Sequence, residues 1–165
     1  MTRIEFFQRE LEKEAGVTRK MLALVPAEKF DWKPHPKSMP MMNLATHIAE
    51  LPTWIGMVLN TDELDFMANE YKPTIVSNNA GLMEIFEKSL EDGRKHLAGG
   101  KEDTLDQIWT LRSGDHIHSA EPKADVIRMA LSQIIHHRAQ LGVYLRLLDI
   151  PIPGSYGPSA DDTNF

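Results

Sequence analysis

The stretch Lys123–Leu148, KADVIRMALSQIIHHRAQLGVYLRLL, has the clearest periodicity in the chain. Val126, Ala130, Gln133, His137, Leu141, Tyr144 and Leu148 follow one another at steps of 4, 3, 4, 4, 3 and 4 residues. That spacing places them on one face of an α-helix, which Met129, Ile134 and Leu145 widen. Two members of the face are polar. Gln133 and His137 lie four residues apart, so they stack one above the other. A helix of this length buries its apolar face against other helices, and it takes an imidazole and a carboxamide inside with it.

The segments that could receive this face lie upstream. From Met41 to Asn60, the residues Met41, Leu44, Ile48, Leu51, Ile55 and Val58 recur at steps of 3, 4, 3, 4 and 3, which predicts a second helix with one buried stripe. His47 sits at the edge of that stripe, between Leu44 and Leu51. Pro52 removes an i to i−4 hydrogen bond and is expected to bend or loosen the helix near Ile48. A helix over Thr2–Val25 opens on Thr2 and Glu5, spaced as a capping box, and stops at Pro26. Another starts at Ser77 or Asn78 and runs to about Leu97, ahead of Gly99-Gly100. Its inner face contains Ser89 and Gly93, small residues that imply either the close approach of another backbone or an open space.

Between these segments, FDWKPHPKSMP (residues 30–40) holds three prolines and excludes regular helix. Residues 61–77 are polar and turn-rich. In residues 101–121 a short helical turn after Thr104 and an extended stretch around Trp109–Leu111 fit best. The tail PIPGSYGPSADDTNF is too rich in proline for helix, but Ile152 and Tyr156 suit it to lie against the helices. The expected fold is all-α: one domain over residues 1–165, a four-helix bundle with long connections and an ordered proline-rich C-terminal tail. The first connection is too long for a tight hairpin, so a simple up-down-up-down order is not assured.

Composition narrows the function. The chain has 165 residues, with 18 Lys and Arg against 24 Asp and Glu, a net charge of −6, seven His and no Cys. That balance, with no Lys/Arg run longer than two, argues against binding a phosphate backbone, so no nucleic-acid partner is expected. The first helix is charged throughout and no stretch approaches about 18 apolar residues, so neither a signal peptide nor a membrane span is expected and the protein reads as cytoplasmic. Without Cys, thiolate-ligated zinc, iron–sulfur clusters and cysteine nucleophiles are excluded. Histidine and carboxylate remain as metal ligands.

Burying His47, Gln133 and His137 without partners would cost a few kcal/mol, so each needs one. In one reading a divalent metal sits between the second and fourth helices, held by His47, His137 and the Gln133 carbonyl. In the other they are ordinary core residues bonded to backbone carbonyls or to each other. His136 is rotated by about 100° from His137 and cannot share its centre. With Gln140 it forms an i, i+4 pair suited to an interface or a supporting role, while a solvated flank formed with Arg138 is the plainer alternative. His136, Arg138, Trp54 and Tyr144 are the candidates for supporting the site or lining its pocket. His116 and His118 share a face if their segment is extended, but a surface loop is expected there.

The stretches NLATHIAELPTW around His47, IIHHRAQLGVYLRLL from Ile134 and the following DIPIPGSYGPSADD resemble the DinB-like (DinB/YfiT) superfamily of four-helix-bundle proteins. FDWKPHPKSM and WTLRSGDHIHS extend the resemblance over essentially the whole chain. It implies a three-histidine site for zinc or nickel, with His47 from helix two and an H-x-x-x-H pair on the last helix. The second of that pair is His137, but the first falls on Gln133, a weak neutral ligand. The resemblance further implies a homodimer and a metal-dependent hydrolase or a transferase of low-molecular-weight thiols. Since the chain has no Cys, such a thiol must arrive as a cosubstrate. The alternative is a catalytically inactive bundle with a degenerate metal site, serving as a small-molecule-binding or structural dimeric protein.

Overall fold

Thr2 opens the first helix as its spacing predicts. In the computed structural model, which describes residues 1–69 and 72–163, the Thr2 hydroxyl accepts from the Glu5 amide at 3.1 Å, and the Glu5 carboxylate accepts from the Thr2 amide at 2.8 Å. Helix α1 spans Arg3–Leu22. It stops short of Val25, and its last turn is closed from outside, where the Asn79 carboxamide donates to the Leu22 and Val25 carbonyls at 2.9 and 3.0 Å.

Pro52 does more than bend the second helix. The expected single element is two, α2 (Met41–Glu50) and α3 (Thr53–Asn60), parted at Leu51-Pro52. Ser89 satisfies the groups that the break frees: its hydroxyl accepts from the Thr53 amide at 3.2 Å and donates to the Glu50 carbonyl at 3.1 Å. One turn further along the same helix, α4 (Asn79–Gly99), a Cβ on Gly93 would lie 3.0 Å from the Pro52 carbonyl oxygen. The small residues of α4 therefore serve close backbone approach, the first of the two alternatives. Asn78 caps α4, accepting from the Gly81 amide at 2.9 Å.

The last helix, α5, covers Lys123–Leu147. Helix α1 packs on α4 and α5, and so do α2 and α3. Going round the bundle the order is α1, α4, α2/α3, α5, so α1 and the next long segment in the chain lie across the diagonal. The long proline-rich connection 23–40 makes that crossing.

The all-α expectation fails in one region. Strands β1 (Glu63–Asp65), β2 (Ile108–Ser113) and β3 (His116–Pro122) form a sheet in the order β1-β2-β3, parallel between β1 and β2 and antiparallel between β2 and β3. Gly114-Asp115 is the two-residue turn of the β2–β3 hairpin, and Gly114 takes the positive φ of 57° that such turns favour. His116 and His118 are thus on a strand and not in a loop. Asp65 ties the sheet together: one carboxylate oxygen accepts from the Met67 and Gly114 amides, and the other lies 2.7 Å from the Arg112 guanidinium. These contacts hold the Asp65 carboxyl below the usual carboxylate range, the two backbone amides contributing most. Trp109 is fully buried beneath the sheet, its indole N–H donating to the Thr61 hydroxyl at 3.0 Å.

The tail runs back over α1 and α5. The Tyr156 hydroxyl donates to Glu14 at 2.6 Å, and Asp161 pairs with Arg146 while accepting from the Ile152 amide at 3.0 Å. Residues 70 and 71 of the turn-rich stretch and the last two residues of the tail lie outside the described residues. Among the described residues, no helix is long and apolar enough to cross a membrane.

Candidate functional site

Histidine 47 leaves α2 at the edge of its apolar stripe, and His137 leaves the seam of α5. Because the two helices pack together, the rings meet edge to face with centroids 4.7 Å apart and planes at 76°. His137 is buried and His47 half-buried. Burial, and to a lesser degree the neighbouring His137, pushes the His47 pKa below its ordinary value. At neutral pH its imidazole is therefore uncharged and keeps a lone pair on one nitrogen.

His137 has a fixed orientation. Its Nδ1 lies 2.8 Å from the Gln140 carboxamide oxygen, which can only accept, so in the neutral ring Nδ1 carries the proton and Nε2 the lone pair. Gln140 thus serves His137, three residues earlier, and not His136 as the i, i+4 spacing had suggested. His136 is exposed and touches the site only through its ring, 4.8 Å from that of His137. Gln133 is partly buried one turn before His137, and its carboxamide makes no hydrogen bond with a described residue.

His47 forms part of the wall of a cavity of about 650 Å³. Most of the wall is apolar, with Leu51, Trp54, Met57, Leu64 and Phe66 prominent, and Asn43, Glu50 and Lys72 supply polar groups. This is the usual composition of a small-molecule pocket. Trp54, a sequence candidate, belongs to this wall and leans on Trp109 at 6.2 Å between centroids.

Two other candidates are placed differently. Tyr144 is buried with its ring edge-on to Trp32 at 5.6 Å, and its hydroxyl donates to the Met39 carbonyl at 3.2 Å, so it braces the first connection behind the cavity. Arg138 points away from the site toward α1, where it pairs with Glu14 at 2.7 Å.

Sequence reasoning missed Glu50 and Phe66. Glu50 stands three residues after His47 on α2, the spacing that puts two side chains on one helix face, and this was the signal available for it. It accepts a hydrogen bond from the Thr74 hydroxyl. Phe66 follows β1, and no local pattern indicates its position. Among the described residues, no group of three or more His, Asp or Glu side chains is arranged to hold a metal ion.

The helical framework has known counterparts. The crystal structure of a DinB-like protein from Bacillus subtilis matches with a TM-score of 0.72 and 19% identity, covering 90% of this chain and 96% of that one. A DinB-like protein from Bacillus cereus matches with the same TM-score and 20% identity, covering 94% of this chain and 100% of the other. A mycothiol-dependent maleylpyruvate isomerase matches at a TM-score of 0.61 and 15% identity, covering 86% of this chain and 63% of that one. No curated protein matches the chain. At these identities the likeness shows the shared fold. Membership rests on the sequence: the DinB family profile matches residues 2–164, all but the ends of the chain, and the chain therefore belongs to the DinB family.

Proposed function

We propose that this protein binds a small molecule in the cavity beside His47 and holds a divalent cation, zinc or nickel, at His47 and His137, with Gln133 as a weak third donor. The reaction class is that of a metal-dependent hydrolase or a transferase of a low-molecular-weight thiol. One observation carries the reading: two imidazoles from different helices meet at 4.7 Å between centroids, and one of them, His47, lines a mostly apolar cavity of about 650 Å³.

The donor set suits such an ion. Metal–nitrogen bonds of about 2.0–2.1 Å to one ion would hold two imidazole centroids roughly 5 Å apart. Ligating imidazoles must be neutral, which burial provides for His47. They also need a defined tautomer, which Gln140 provides for His137. Gln133 contributes a neutral oxygen, so the set is weaker than three imidazoles and leaves coordination positions open. A bound ion would lower the pKa of a thiol or water beside it.

The remaining roles belong to the chain. Leu51, Trp54, Met57 and Phe66 exclude water and accept an apolar body, and Glu50 and Lys72 offer opposite charges for orienting polar groups. With no Cys in the chain, a reacting thiol would enter as cosubstrate. The fold shared with a mycothiol-dependent isomerase supports the thiol reading at the level of architecture. The homodimer implied by the resemblance belongs to the same proposal. Exposed Val143 and Leu147 on α5 supply apolar surface for it, and sedimentation velocity tests it.

Elemental analysis of untagged protein after dialysis against zinc or nickel tests the cation. Metal retained by the parent and by Gln133→His, and lost in His47→Ala, supports the proposal. Retention by neither the parent nor Gln133→His defeats it. A second reading, a small-molecule-binding bundle whose metal site has decayed, is favoured by Gln133 and by the lack, among the described residues, of a group of three His, Asp or Glu side chains arranged to hold an ion. It predicts metal in Gln133→His alone.

A further inference from the structure

We propose that His116 and His118, on the exposed edge strand β3, form a second divalent-ion site, separate from the His47–His137 pair and preferring Cu2+ over Ni2+ and Zn2+. His116 and His118 are two residues apart on the strand, and both are exposed. Their ring centroids are 4.8 Å apart with planes at 82°, close to the roughly 5 Å that two imidazoles on one ion require.

The local backbone explains the closeness. Pairing along the hairpin steps from Ser119 opposite Leu111 to Ile117 opposite Arg112, which leaves His118 as the extra residue of a β-bulge. Bulges sharpen the local twist and re-aim side chains. Two neighbours then hold the His118 ring: the Ser113 hydroxyl shares a hydrogen bond of 2.9 Å with Nε2, and the Phe66 ring lies 6.2 Å away. The pair is thus oriented before any ion arrives, which lowers the entropy lost on chelation.

Chemistry sets the preference. Imidazole suits copper, nickel and zinc, and at a site with two nitrogen donors the divalent series places copper first. Among the described residues no third His, Asp or Glu completes the group, so water or an incoming ligand would occupy the remaining positions. Phe66 also belongs to the cavity wall, so an ion on β3 would lie close to the edge of the cavity.

The test is titration of the full-length protein with CuCl2, followed by calorimetry and by paramagnetic broadening of the histidine ring resonances. In His47→Ala, which removes the first site, one equivalent of Cu2+ should be retained with broadening centred on His116 and His118, and it should be lost when His116→Ala or His118→Ala is added. A His47→Ala/His116→Ala/His118→Ala variant that binds Cu2+ with the stoichiometry and affinity of His47→Ala overturns the proposal, as does broadening in His47→Ala that spares His116 and His118. If a variant fails to fold, as judged by circular dichroism, the broadening pattern of the parent decides alone.

Discussion

His137 and Arg138 are consecutive on α5 and so about 100° apart, one toward α2 and the other toward α1. His137 meets a second imidazole, keeps one nitrogen free of hydrogen bonds to described residues, and adjoins a residue that lines a cavity. Arg138 is engaged by α1 through one guanidinium nitrogen. Its Nη1 lies 2.7 Å from a Glu14 carboxylate oxygen and donates to the Glu14 carbonyl at 3.2 Å and the Thr18 hydroxyl at 3.0 Å. The other Glu14 oxygen accepts from the Tyr156 hydroxyl at 2.6 Å, and the Tyr156 ring lies 5.7 Å from the guanidinium. Burial, with the Glu14 contact second, pushes the Tyr156 phenol up to about 12, so it remains a donor throughout the physiological range.

The contrast separates two uses of buried polarity. On the α1 side the groups are consumed by one another and join the tail to the bundle. On the α2 side lone pairs are left over, as a ligand site needs. Within the charged network, the Glu14 oxygen nearest Arg138 accepts no hydrogen bond and is satisfied by charge alone, so the network depends on Arg138 more than on any other member.

The largest expected effect follows from that dependence. Arg138→Met leaves Glu14 charged and buried without its counter-ion, and urea denaturation should show a loss of about 3–5 kcal/mol. Replacing both partners, Glu14→Leu with Arg138→Met, should recover most of it. If Arg138→Met were no less stable than His137→Ala, the contrast between the two faces would collapse. Next in size, Tyr156→Phe removes one hydrogen bond to a charged group and should cost about 1.5–3 kcal/mol in the same assay.

Smaller still is a pH effect on the other face. The folded-state pKa of His47 lies below its ordinary 6.5, so on acidification the unfolded chain takes up a proton that the folded chain resists. The penalty is absent above 6.5 and grows as pH falls through that value. Thermal melts between about pH 7.5 and 5.5 should therefore show a steeper loss of stability for the parent than for His47→Gln. Least of all, His136→Ala, exposed beside both faces, should stay within about 0.5 kcal/mol of the parent. A larger change would mean that His136 belongs to one of the two networks.

The histidine pair was legible because it depends on two helical stripes, each readable over a few turns. The role of Arg138 was not. Its i−4 and i+4 neighbours, Ile134 and Gly142, are buried, as it is, but the partner that neutralises it comes from α1, 124 residues away in the chain. The extended stretch expected around Trp109–Leu111 is the middle of β2, but the sheet it belongs to was missed for a similar reason. Gly114-Asp115 between two short polar runs is a hairpin signal, yet the strands are mostly half-exposed or exposed and lack clean alternation. Strand β1 has only three residues, and its pairing with β2 joins Glu63 to Thr110.

By itself the sequence determined the four helical segments to within a few residues, though not that Pro52 parts the second into two, because the 3.6-residue period, prolines, glycines and caps act over a few neighbouring residues. It also determined that His47, Gln133 and His137 would turn inward. Only the tertiary structure decided the ring contact, the cavity beside His47, the bulge that brings His116 to His118 and the ion pair that closes the far side of α5. Those features arise from contacts between segments distant in the chain, whose energies depend on how the helices and strands pack and not on any local pattern.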